Sequence, residues 1–214
     1  MDEDIAIIDT NTRNERIKNF FFHNRKKIII VISIIAILLI GFFSFQEIKK
    51  KNKIKIANKF NAVTIDYDSE QKGRATEVLI GIINEKDETY SPLALYFLID
   101  NSLIESVEKC NKLFDILIDK TNLAKEIRNL VIYKKALYNS DSATENELIQ
   151  ILNPLINSES IWKSHALYLM AEYFYSKNEK QKSKDFFNQI LTLPEANPDI
   201  VLETKKRINR DLSE

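Results

Sequence analysis

Turn-forming residues are scarce in this chain, with three glycines and four prolines among 214 residues. A sheet-rich fold needs such residues at every hairpin, and the apolar positions here recur at three and four rather than at two, so the sequence predicts a nearly all-α protein. Cysteine occurs once, at Cys110, which excludes an internal disulfide and, so far from the N-terminus, a lipid-modified lipoprotein anchor. Histidine occurs twice, at His23 and His165, with no second histidine or cysteine at ligand spacing, so the sequence predicts no metal site. No cofactor motif is present either. Ser106-x-x-Lys109 and Ser160-x-x-Lys163 match the S-x-x-K of some serine hydrolases, but a KTG partner and a glycine-rich oxyanion loop are both missing. The expectation is a protein that is not an enzyme and has no catalytic residues.

Charge is missing too, in one place. Residues 28–46, between Lys27 and Glu47, carry none across nineteen positions. At ~1.5 Å of rise per residue a helix of that length spans roughly 28 Å, about the hydrocarbon core of a bilayer. Bulky and charged residues follow it ("SFQEIKKK") where a cleaved signal would place small ones, so the expected element is a retained signal anchor rather than a secretory signal. A soluble core helix is the weaker reading, since such a helix shows water at least one polar stripe. The expected division is 1–27 tail with a short amphipathic segment, 28–46 transmembrane helix, 47–68 juxtamembrane helix, and 69–214 helical domain.

Basic residues flank the span almost equally. Arg13, Arg16, Lys18, Arg25, Lys26 and Lys27 precede it, and Lys49, Lys50, Lys51, Lys53, Lys55 and Lys59 follow it. Charge alone therefore does not set the orientation. The net charge of zero conceals a segregation: Glu47 to Lys59 holds six basic residues against one acidic, while residues 60–214 hold nineteen against twenty-five. Such a collar suits anionic lipid headgroups, at about 1 kcal/mol per lysine near the surface. The mildly acidic body excludes nucleic acid as a natural partner.

Within the body, Arg74 to Asn84 reads as a helix after a break at "DSEQKG". Ser91-Pro92 reads as a capping hydroxyl followed by proline at the first helical position. Thr144 with Glu147 reads as a capping box. "IWKSHALYLMAEYFYS" and "EKQKSKDFFNQIL" form the clearest helical hairpin, and it fits the tetratricopeptide spacing: Leu167, Met170, Ala171 and Phe174, then Ser183, Phe187 and Pro194, the proline one residue early. The small Ala171 allows close helix approach, and Asn178 suits the left-handed turn conformation usually given to glycine. "LYFLIDNSLIESVEKCNKLF" repeats the scheme with Leu95, Leu98 and Ile99, then Cys110 and Phe114. Phe114 and Phe187 lie 73 residues apart, two units of about 36. A degenerate middle hairpin is implied, built on Ile127, Leu130 and Val131 with Leu148 and Leu152. The expected fold is thus all-α: one N-terminal transmembrane helix followed by a TPR-like array of helical hairpins, a solenoid. In this register Tyr168 and Tyr175 are candidates to line a concave partner-binding surface, with plain packing as the alternative.

The order of "IKNFFFHNRKK", the span, a lysine-bearing helix, "YSPLALYFLIDNSL", "NLAKEIRNLVIYKKALYN" and the last hairpin resembles the ancillary subunit of the bacterial Sec translocon, the YfgM-like family. The marks are Lys18-Asn19-Phe20-Phe21 before the anchor, Trp162 at the start of the penultimate hairpin, and "SKNEKQKSKDFF". The resemblance covers nearly all of residues 13–212. It departs in having Asn178 for glycine at the turn, and in richness in Ile, Lys and Asn. It implies a single-pass inner-membrane protein with a cytoplasmic N-terminus and a periplasmic repeat domain. It also implies association with Sec translocon subunits, a membrane-anchored periplasmic chaperone of the prolyl isomerase type, and exported polypeptides. A membrane-tethered scaffold for another envelope assembly, with no export role, is the alternative.

Overall fold

A computed structural model of the chain describes residues 2–65, 67–68, 70 and 72–212, with side chains from residue 15 onward. Among the described residues there are nine α-helices and no strand. They are α1 (Asp2–Thr64), α2 (Lys72–Asn84), α3 (Tyr90–Asp100), α4 (Val107–Asp115), α5 (Lys125–Asn139), α6 (Glu145–Ile156), α7 (Lys163–Ser176), α8 (Lys180–Leu191) and α9 (Pro198–Asp211). A π-helical turn, Ile116–Lys120, continues α4.

Helix α1 is one piece. The tail expected at residues 1–27 is helical from Asp2, because no proline and no glycine precede Gly41 to interrupt it. Its apolar window is wholly exposed, and α1 is long and apolar enough to cross a membrane once. The break before α2 falls in 65–71, of which residues 66, 69 and 71 lie outside the described residues.

The chain divides into two compact units, Met1–Lys55 and Ile56–Glu214. The second begins inside the segment expected as the juxtamembrane helix. Ile56, Phe60 and Val63, spaced to share one helix face, join the core of the body.

That core is three apolar clusters in chain order. The first gathers the end of α1 with α2, α3, α4 and the π turn, and takes Val131 from α5. The second joins α5, α6 and α7 through Ile132, Leu148, Leu152 and Phe174. The third joins α7, α8 and α9 through Leu167, Ala171, Phe187 and Leu212. Helices α5 and α7 each serve two clusters, presenting different faces to each. Burying rings such as Phe114, Phe174 and Phe187, each under 2 % exposed, contributes ~1.5–3 kcal/mol apiece.

Helix pairing differs from the expected register at one end. Helices α5 and α6 pair, as do α7 and α8, but α3 lies along α2 rather than α4, and α4 packs on α5. The reason is visible in α2, whose Ala75, Leu79, Ile82 and Ile83 form a fully apolar stripe that its nearest chain neighbour covers. The α2–α3 turn also corrects the expected cap. Asp87 Oδ1 accepts the N–H groups of Thr89 (2.9 Å) and Tyr90 (2.8 Å), so a carboxylate starts α3. Ser91 instead lies buried inside the helix, its hydroxyl donating to the Ile82 carbonyl of α2 at 2.8 Å, and Pro92 is third in the helix rather than first.

Candidate protein-binding surface

Helix ends determine which faces are left open. Thr144 and Glu147 form the capping box of α6, with the Thr144 N–H donating to Glu147 Oε2 at 2.8 Å. Asn178 closes α7 at φ 62°, with the Glu179 N–H donating to the Phe174 carbonyl and the Asn178 N–H to that of Tyr175. This paired-bond stop turns the chain directly into α8. Ser102 does the same after α3 at φ 51°, where Leu103 donates to Leu98 and both side chains are buried.

The repeat-position residues form the interior. Leu95, Leu98, Cys110 and Phe114 are fully buried in the first cluster, Met170 and Phe174 in the second, and Leu167, Ala171 and Phe187 in the third. Ser183 is buried with its hydroxyl unpaired among the described residues, so its position uses small size rather than a hydrogen bond. Pro194 is the exception: it is exposed in the turn after α8, where it contributes a stop rather than packing. Burial pushes the Cys110 thiol up and so favours its protonated form, against a smaller opposing effect from the Tyr138 hydroxyl.

Tyr168 and Tyr175 sit together on the side of α7 that α9 covers. The Tyr168 ring meets Phe187 edge-on at 5.4 Å, and Arg207 of α9 lies 4.4 Å above the Tyr175 ring. Arg207 also clasps Glu172 through both carboxylate oxygens at 2.6 Å, a bidentate pair between α9 and α7. Burial first, and the Glu172 carboxylate second, push the Tyr168 hydroxyl up to about 12. Both tyrosines are therefore half-buried, Tyr168 against Phe187 of α8 and Tyr175 under Arg207 of α9.

The two S-x-x-K serines are engaged locally. Ser106 caps α4, accepting the Lys109 N–H at 3.2 Å, so the three-residue spacing to lysine is that of an N-cap. Ser160 donates to Glu126 at 2.8 Å and accepts from Asn129 (2.9 Å) and the Trp162 N–H (3.1 Å), fastening the α6–α7 loop to α5. Trp162 completes the fastening, its indole N–H donating to the Glu126 carbonyl and its ring stacking on Tyr133. His165 stands against both rings, and burial holds its imidazole below the ordinary value. Among the described residues no three His, Cys, Asp or Glu side chains are grouped to hold a metal ion.

The opposite face of α5 carries buried Asn139 and half-buried Lys135. At ~100° per residue, Lys135 and Asn139 lie on the far side from Leu130 and Tyr133. There a groove of about 500 Å³ runs between α4 and α6 with α5 as its floor. Asn111 and Asn139 exchange two hydrogen bonds across it, at 2.9 and 2.8 Å, and Lys135 is paired with Asp115 at 2.6 Å. In the sequence this site has little signal beyond Asn139, which interrupts the apolar stripe that Ile132 and Ala136 continue.

No protein-family model, curated protein or solved structure matches the chain.

Proposed function

We propose that the chain is a single-pass membrane-anchored protein-binding subunit, in which α1 crosses the inner membrane and a TPR-like helical array presents a rigid surface to polypeptide. The observation that carries it is the sharing of α5 and α7 between successive apolar clusters. Clusters linked in chain order support a stacked repeat, in which each hairpin would bury its second face on its neighbour. The exposed apolar window of α1 supports the anchor. The Lys49 to Lys59 collar suits anionic headgroups.

The resemblance to the YfgM-like family supports a cytoplasmic N-terminus, a periplasmic body, and association with the Sec translocon and a prolyl isomerase-type chaperone that handle exported chains. Tethering makes weak contacts useful, because it replaces a bimolecular search by a high effective concentration. Cross-linking in intact cells, affinity capture and mass spectrometry test the partners. Enrichment of translocon subunits with a periplasmic chaperone is the expected result, and enrichment of another envelope assembly in their place would remove the export role. External protease on spheroplasts should cut the body, and a body that is cut only after lysis would reverse the orientation.

A further inference from the structure

The groove between α4 and α6 has a chemistry of its own, and we propose that it holds an extended stretch of polypeptide carrying lysine or arginine side chains. This rests on the reading of the protein as a polypeptide binder and names the site and the class of segment. Its volume, about 500 Å³, is within the ~300–1,000 Å³ usual for ligand sites.

Side-chain amides lie along it. Asn111 spends one N–H and one lone pair on Asn139, and a primary amide has two of each. The remaining donor and acceptor match the C=O and N–H of a passing peptide group. Gln150 on the α6 wall is exposed and its side chain makes no hydrogen bond among the described residues, so it offers the same pair again. Amide-to-amide recognition is indifferent to side-chain identity, which suits a binder of varied chains.

Charge selects the segment. Glu108 and Glu147 stand at the groove, one near the start of each wall. Bonds from Ser106 and from Thr144 hold the two carboxyls below the usual range, so both are ionised at neutral pH. Each uses Oε2 in those bonds. Among the described residues lining it the one cation is Lys135, which is paired with Asp115, while Lys112 lies near enough to Glu108 to act on its charge. The groove is therefore net anionic, with an amide-bearing floor and wall between the carboxylates. Exposed Val107 at one wall and Ile151 at the other supply apolar contact for the stems of long basic side chains.

The test uses the full chain in non-ionic detergent and the fluorescence anisotropy of a labelled Lys-Ser repeat peptide, with a Glu-Ser repeat as its counterpart. The Lys-Ser peptide should bind, and added salt should weaken it; the Glu-Ser peptide should not bind. Gln150→Lys, at an exposed helix position, should weaken binding roughly tenfold, while Gln189→Lys, the same charge change on α8, should leave it unchanged. Gln150→Leu removes the amide without adding charge and should weaken binding roughly threefold, which keeps the test open if the lysine variant misfolds. Equal binding of both peptides, equal effects of the two lysine variants, no effect of Gln150→Leu, or no binding would each overturn the groove as the site. A partner captured from cells whose cross-links map away from α4 and α6 would also overturn it while leaving the binder standing. Peptide binding with no captured translocon would instead remove only the export role.

Discussion

Tyr168 shows how a single side chain changes meaning once a distant helix arrives. Periodicity places it on the open side of the α7–α8 hairpin, where a partner would touch it. Helix α9 returns over that side, and nothing local to Tyr168 in the sequence announces it, because the pairing of Arg207 with Glu172 spans thirty-five residues. Tyr168→Glu should accordingly destabilise the body by about 2 kcal/mol, since it removes an aromatic contact and sets a second carboxylate beside Glu172. Urea denaturation followed by circular dichroism checks this, and unchanged stability with weakened partner capture would return Tyr168 to the binding surface. His165 makes a pH prediction. Its folded-state pKa is lowered by burial from 6.5, so the unfolded chain binds the proton more readily. The neutral ring's contribution is complete above about pH 6.5 and is lost as pH falls through the folded value. Glu108, Glu147 and Asp211, all lowered, act below their ordinary values near 4 and leave this window clear. Urea midpoints should fall between about pH 7.5 and 5.5, and His165→Gln should flatten that slope.

At the scale of elements, the ends of helices were the most legible features, because caps depend on residues close in sequence. Thr144 with Glu147, and Asn178, form the expected structures from a handful of local bonds. Thr144→Ala should cost about 1 kcal/mol, read as a lower urea midpoint at unchanged slope, with Thr144→Ser nearly neutral. Which helix pairs with which was less legible. Leu95, Leu98, Cys110 and Phe114 are all buried as a repeat would have them, yet α3 pairs with α2. A buried residue shows only that something covers it, and in a chain of amphipathic helices several neighbours have the right period. The Ser91 cap failed for a related reason: Asp87, three residues before Tyr90, offers a charged acceptor that outcompetes a hydroxyl. The α4–α6 groove was hidden because its Asn111–Asn139 pair joins two helices twenty-eight residues apart, and single asparagines in a polar, lysine-rich chain carry little signal.

For the whole molecule, the decisive asymmetry is between a body that buries three apolar clusters and an α1 that buries no residue across 28–46. Fourteen of those nineteen residues are Ile, Val, Leu or Phe. At ~0.3–0.6 kcal/mol each, they favour insertion by roughly 4–8 kcal/mol. One arginine near the centre costs ~2.5–3.5 kcal/mol, too little to reverse that sum, whereas two cost about as much as the whole run supplies. Ile35→Arg alone should therefore stay with the membrane pellet after carbonate extraction. Ile35→Arg combined with Leu38→Arg should release a large fraction to the supernatant. The body, with its own three clusters beginning at Ile56, should keep its native urea midpoint in both variants, because none of its buried residues lies in that run. If the single arginine already freed the chain, the apolar run would be a marginal anchor that needs partner helices to hold it. If the double variant stayed bound, attachment would have to come from elsewhere, first of all from the basic collar at Lys49 to Lys59 acting on anionic headgroups, and high salt would then release it.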